Sequence, residues 1–309
     1  MLKNPFSFYD FLGYLFPGLI CVIFLKVIFA ISGPITIDSL IKQGWAISFS
    51  WKDTIQYTVL AYVVGHLVSY FSSLTIEPYF IWSYGYPSVF LLKENYDKNF
   101  FEINKKVGKL RTYFWKGLVC IFIFPICLAS LFFGRLLHFR FYVLKPLDSY
   151  LQNNINKKID SMLSTLKLSN RENGADVHRI IMHYNYEHYA NHVRKYDNYV
   201  ALYGFLRSLS FLCSSIFILL FIFELRTIDF CESVDWKSIF ILAILFCITY
   251  LYYLGFIKFY RRYTLENLMS ILVDKQFEGY INSSAHSCSK IAQDIFYKLV
   301  GKNNSDRRI

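Results

Sequence analysis

Charge is thin in this sequence, and acid is the scarcer sign. Charged side chains make up 18% of its 309 residues, where a soluble domain usually carries about 25%. There is no Gly-rich phosphate loop, no GxSxG elbow, no HExxH helix and no kinase set, so no motif-borne enzyme class is indicated. No catalytic residue and no cofactor is expected. The seven cysteines contain no CxxC pair, and Cys21, Cys120, Cys127, Cys213 and Cys247 lie inside apolar blocks, where Cys behaves as a small hydrophobe. A disulfide scaffold and a zinc ribbon are both disfavoured. A cleavable signal peptide is not evident either, because the first apolar block carries Lys26 and lacks a small-residue cleavage site.

What is abundant is apolar side chain. The hydrophobic fraction is 55%, the aromatic fraction 20% and the mean hydropathy +0.32. These residues fall in five blocks, 11–31, 55–82, 117–134, 205–223 and 238–257. Each approaches or exceeds the ~20 residues that a helix needs to cross the hydrocarbon core. The formal charge of +11, from 33 Lys and Arg against 22 Asp and Glu, admits two readings. Cytoplasmic loops of membrane proteins collect Lys and Arg; alternatively, an anionic partner such as a nucleotide, a nucleic acid or lipid headgroups is being recognised.

Counting bases tests the topology. Residues 1–10 carry one, 32–54 two, 83–116 seven, 135–207 eleven, 224–237 two and 258–309 nine. If all five blocks cross, the better orientation leaves 10 outside and 22 inside. If the third does not cross, 28 fall inside and 4 outside. The third block is also short, with Pro125 near its middle to remove an amide donor.

The expected fold is therefore an all-α integral membrane protein of four transmembrane helices in two hairpins. A re-entrant or interfacial helix and a cytoplasmic helical region complete it. Residues 1–82 form the first hairpin, and 83–137 a basic cytoplasmic segment with the re-entrant or interfacial helix. Residues 138–204 form cytoplasmic helices, 205–257 the second hairpin and 258–309 a cytoplasmic helical tail. Both termini are expected inside, at the inner membrane of a bacterium. Residues 146–204 read as long helices broken at 169–174, the second running from about Asp176 straight into the fourth block.

The second block carries the most informative pattern. His66, Ser69, Ser73 and Glu77 stand at 0, +3, +7 and +11, one helical stripe, which Tyr62 extends. Polar side chains in hydrocarbon face a bundle interior or a water-filled path, so the stripe either lines a pore or binds a neighbouring helix. His66 and Glu77 lie about 16 Å apart along one helix, too far to act on one substrate atom. In the first block, Asp10 suits a helix N-terminus, Pro17-Gly18 supplies a kink or a close-packing point, and Lys26 snorkels outward.

On the cytoplasmic side, His178, His183, Glu187, His188 and His192 invite a metal reading, since His188 and His192 are four apart. Tyr189 stands where the zincin pattern needs Glu, and His183-x3-Glu187-His188 is one residue too long for the inverted motif. No metal is assigned. The same run alternates aromatic and basic residues: His183, Tyr184, Tyr186, His188, Tyr189, His192, Arg194 and Lys195. Rings beside cations stack on bases and hold phosphates. With Lys105, Lys106, Lys109 and Arg111 they form the candidate ligand-binding set; the alternative is a basic surface near anionic lipid.

Three short motifs, Tyr9-Asp10…Pro17-Gly18, Gly65-His66…Glu77 and Gly85-Tyr86-Pro87-Ser88, give the chain its resemblance. It is similar to bacterial membrane proteins found beside anti-phage defence genes, and among them most resembles the membrane effectors of the Hailong system. The similarity covers roughly the first 90 residues by motif and the rest by layout. It implies a homo-oligomeric, tetrameric ion channel in the inner membrane. It also implies a partner nucleotidyltransferase that makes a short single-stranded oligodeoxyadenylate. That ligand would hold the channel shut, and its loss would open the pore and depolarise the cell. A non-conducting membrane scaffold that recruits a soluble partner is the alternative expectation.

Overall fold

The computed structural model describes residues 10–33, 35–46, 51–92, 108–137, 139, 144–168, 177–227 and 236–274. Among the described residues every regular element is helical. A π-helical turn, Phe11–Leu15, leads into α1 (Phe16–Phe29), followed by α2 (Ile37–Ala46), α3 (Trp51–Tyr84) and α4 (Pro87–Leu91). Then come α5 (Lys109–Phe122), α6 (Phe124–Ala129) with a π-helical extension Ser130–Leu136, α7 (Ser149–Thr165), α8 (Val177–His188), α9 (Ala190–Thr227) and α10 (Trp236–Leu272).

Four segments are long and apolar enough to cross a bilayer: Phe11–Phe29, Thr54–Leu91, His192–Arg226 and Trp236–Leu272. The last three exceed 34 residues each, so at about 1.5 Å per residue they outrun a ~30 Å hydrocarbon core. This is a multi-pass membrane protein by the length and composition of its helices.

The chain divides into two compact units, one of Met1–Pro146 with Asn191–Thr264 and one of Leu147–Ala190 with Leu265–Ile309. The first holds the apolar bundle. There α1 and α3 touch backbone to backbone: a Cβ added at Gly18 would lie 1.8 Å from the Ala61 carbonyl oxygen, and one at Gly65 1.9 Å from that of Tyr14. Pro17-Gly18 is thus a close-packing point, met by the small pair Ala61 and Gly65 across the crossing, the device by which helices associate in lipid. Lys26 holds its ammonium 4.6 Å from the centre of the Tyr57 ring.

α3 continues through Pro78 and ends at Gly85, whose φ of 79° lets its N–H close on the Ile81 carbonyl at 2.9 Å. Tyr86 is extended, and Pro87 opens α4 at a position that needs no amide donor. The bundle core is aromatic, with Tyr79 and Phe80 from α3, Val119, Ile123 and Ile126 from the α5–α6 region, and Tyr250, Tyr253 and Phe256 from α10.

The third apolar block is bent by 94° between α5 and α6. Ile123 breaks the helix at φ −118°, and Pro125 occupies the first turn of the second arm. Because Ile126 N–H turns back to Ile123, the Phe122 carbonyl is released, and Ser214 of α9 donates to it at 3.3 Å. The arms return to one place on α3: Lys116 lies over the Trp82 ring at 5.4 Å, and Gly134 faces the Tyr84 hydroxyl.

The second unit packs α7, α8 and the last turns of α10 around Ile155, Ile159, Met162, Ile181, Leu268 and Ile271, all at most 1% exposed. Asp148 caps α7 through the Leu151 amide at 2.8 Å. One expectation is overturned: the second cytoplasmic helix does not run unbroken into the fourth block. Tyr189 interrupts it, so α8 ends at His188 and α9 begins at Ala190. The expected break at 169–174 lies outside the described residues, as does any helix beyond Asp274.

Candidate functional site

The polar stripe of α3 is split by its surroundings. Its C-terminal half turns to α9. Glu77 Oε2 accepts from Arg207 Nη1 at 2.5 Å, with side chains 30% and 10% exposed. Arg207 Nε donates to Ser72 Oγ at 3.2 Å, and Ser72 Oγ lies 3.5 Å from Ser208 Oγ while bonding back to the Ser69 carbonyl at 2.8 Å. Arg207, the more buried partner, needs its remaining donors engaged as well, and Ser72 supplies an acceptor for its Nε. Ser69 is buried in the same contact.

The N-terminal half behaves differently. The His66 ring is exposed and stacks on Tyr14 of the π-helical turn, centroids 3.8 Å apart at 23°, with Tyr62 edge-on at 4.7 Å. Ser73 is half-buried and bonds only its own helix, through the Tyr70 carbonyl at 2.7 Å. His66 and Glu77 therefore belong to separate clusters, one with the π-helical turn ahead of α1 and one with α9.

No family model matches this chain, and neither does any curated protein or solved structure.

The residues must therefore speak for themselves. Arg207 is the functional candidate that the sequence hid. It stands at the head of the fourth apolar block and counts there as one more basic loop residue. Its signal was the repeat Arg207, Ser210, Ser214 at 0, +3 and +7, a second polar stripe on a span.

The basic-aromatic run is divided between the two units. In the first, Lys109 and Arg111 are exposed in the opening turn of α5, and His192, Arg194 and Lys195 are exposed near the start of α9. Lys105 and Lys106 lie outside the described residues. In the second, His183 is exposed, Tyr186 and Tyr189 are half-buried, and His188 is exposed and stacks on Tyr184 at 4.0 Å. Tyr184 is itself buried and donates its hydroxyl to Asp274 Oδ2 at 2.8 Å. Burial and that carboxylate push the phenol well above its usual range. One ring face and the hydroxyl of Tyr184 are thus committed to the unit's own packing.

His188 and His192 fall on different helices, because the chain breaks between them. Among the described residues no three of His, Cys, Asp and Glu stand together as metal ligands would.

Proposed function

We propose that this chain is an oligomeric pore of a bacterial inner membrane, the effector of an anti-phage defence system, opened or closed by a cytoplasmic nucleotide or oligonucleotide. The observation that carries the reading is His66. It lies about 18 Å along α3 from Thr54, near mid-membrane, and it is exposed. An imidazole on the outside of a span is disfavoured against lipid. Covering it with another copy of the chain, or with a water path between copies, removes the penalty. Tyr62, edge-on to the His66 ring, extends that exposed face toward Thr54, and half-buried Ser73 lies two turns on in the other direction. The tetrameric state, the partner nucleotidyltransferase and an oligodeoxyadenylate ligand come from the resemblance to Hailong effectors.

In this reading the α5–α6 bend is a re-entrant element. Both arms meet the same end of α3, as a segment entering and leaving on one side must. Basic residues at the cytoplasmic end, Lys109, Arg111, Arg194 and Lys195 among them, supply the field that attracts an anionic ligand.

Ion flux from liposomes holding the purified protein, with and without a short oligodeoxyadenylate, tests this. Flux that the oligonucleotide suppresses supports the gated pore, and His66→Ala is expected to change it at least several-fold while leaving expression intact. Absence of flux in both conditions favours the non-conducting scaffold instead. That second reading draws on Glu77, Arg207, Ser72 and Ser208 being engaged helix to helix, as packing alone would have them.

A further inference from the structure

We propose that α2 is an interfacial helix that seats Ile41 and Trp45 in the headgroup region of the bilayer leaflet at which α1 ends. The partner is lipid, and the inference stands apart from the pore reading.

At ten residues α2 is about 15 Å long, too short to cross a membrane. Its apolar side chains Ile37, Leu40, Ile41 and Trp45 recur at 0, +3, +4 and +8, one face of a helix. Among the described residues, only the beginning of that face is covered. Ile37 is 3% exposed, whereas Ile41 is 44% and Trp45 89% exposed. Asp38 and Lys42, one turn apart and bordering that face beside Trp45, are exposed as well, as charged groups flanking an interfacial tryptophan are.

The helix is held at a defined level. The Ile37 amide donates to Glu224 Oε1 at 3.0 Å, and Glu224 lies in the last turn of α9. Thr36 and Ser39 cap the start of α2 reciprocally, Thr36 N–H to Ser39 Oγ at 2.9 Å and Ser39 N–H to Thr36 Oγ at 3.2 Å. Two spans, α1 and α9, therefore end where α2 begins. An exposed tryptophan and isoleucine at that level lie at the boundary between water and hydrocarbon. Tryptophan is enriched at that boundary, and short amphipathic helices lie flat on it. The bilayer surface that the spans already define continues directly onto this face.

The test uses the full chain in phosphatidylglycerol-containing vesicles. Subtracting the tryptophan emission of Trp45→Phe from that of the wild type isolates Trp45; Trp45→Tyr replaces it if the Phe variant fails to accumulate. Vesicles carry acyl-chain bromines near the headgroup or near the chain end, and iodide is the aqueous quencher. We expect the Trp45 component to be quenched at least twofold more by shallow bromines than by deep ones or by iodide. Quenching mainly by iodide would mean that α2 projects into water. Shielding from every quencher would mean that a second copy or another segment covers it, and either result overturns the proposal.

Discussion

At the scale of single residues, two tyrosines give opposite expectations. Tyr253 is fully buried, and its hydroxyl finds no hydrogen-bond partner among the described residues. An unpaired buried hydroxyl destabilises, so Tyr253→Phe is expected to leave stability unchanged or raise it by about 1 kcal/mol at most, read as an unchanged or higher melting temperature in detergent. Tyr184 is the reverse, because its hydroxyl serves the buried Asp274. Losing a hydrogen bond to a carboxylate typically removes about 1.5–3 kcal/mol, and Tyr184→Phe should lower stability accordingly. The pH dependence has a definite sign. The fold raises the Tyr184 phenol above its usual value of about 10, so folding favours the protonated form. Its contribution is complete below that value and is lost as pH rises through the folded one. The stability gap between wild type and Tyr184→Phe, followed by thermal unfolding, should therefore narrow as pH climbs above about 10.

Among the helices, two contacts dominate. Removing Glu77 alone leaves Arg207 without its carboxylate and should destabilise by about 1.5–3 kcal/mol, less than a fully buried pair would because the Glu77 side chain keeps 30% exposure. Replacing both with Leu should be less damaging than the two single changes summed, and a double-mutant cycle of detergent unfolding checks this. Gly65→Ala is the sharper perturbation, since the new methyl meets backbone rather than a movable side chain. It should reduce folded, membrane-inserted protein several-fold.

Much at this scale was legible. Apolar runs announced the four long helices because hydrocarbon demands length; Pro17-Gly18 offered a kink or a close-packing point, and the backbone contact with Ala61 decides for packing. The partner of Glu77 was not legible. Arg207 stands 130 residues away, and nothing in a linear pattern says that two stripes on different spans face one another. The interruption at Tyr189 was equally silent, because His183 to Tyr196 contains neither Gly nor Pro.

For the whole molecule, the arrangement of bases predicts sidedness. In intact cells expressing the chain with its seven native cysteines replaced by serine or alanine, a membrane-impermeant thiol reagent should label Lys42→Cys, whereas Arg194→Cys should react only after permeabilisation; the reverse order would invert the topology, and labelling of both would refute it. The backbone contact between the first two spans also has a mechanical meaning. Helices whose backbones meet at Gly18 and Gly65 have no side-chain cushion on which to slide, so they can only scissor about that point. Gly18 lies about 10 Å from Phe11 and about 16 Å from Phe29, which makes it a fulcrum with unequal arms. A push on the longer arm, the end carrying α2, emerges at the Phe11 end reversed in direction and reduced by roughly a third.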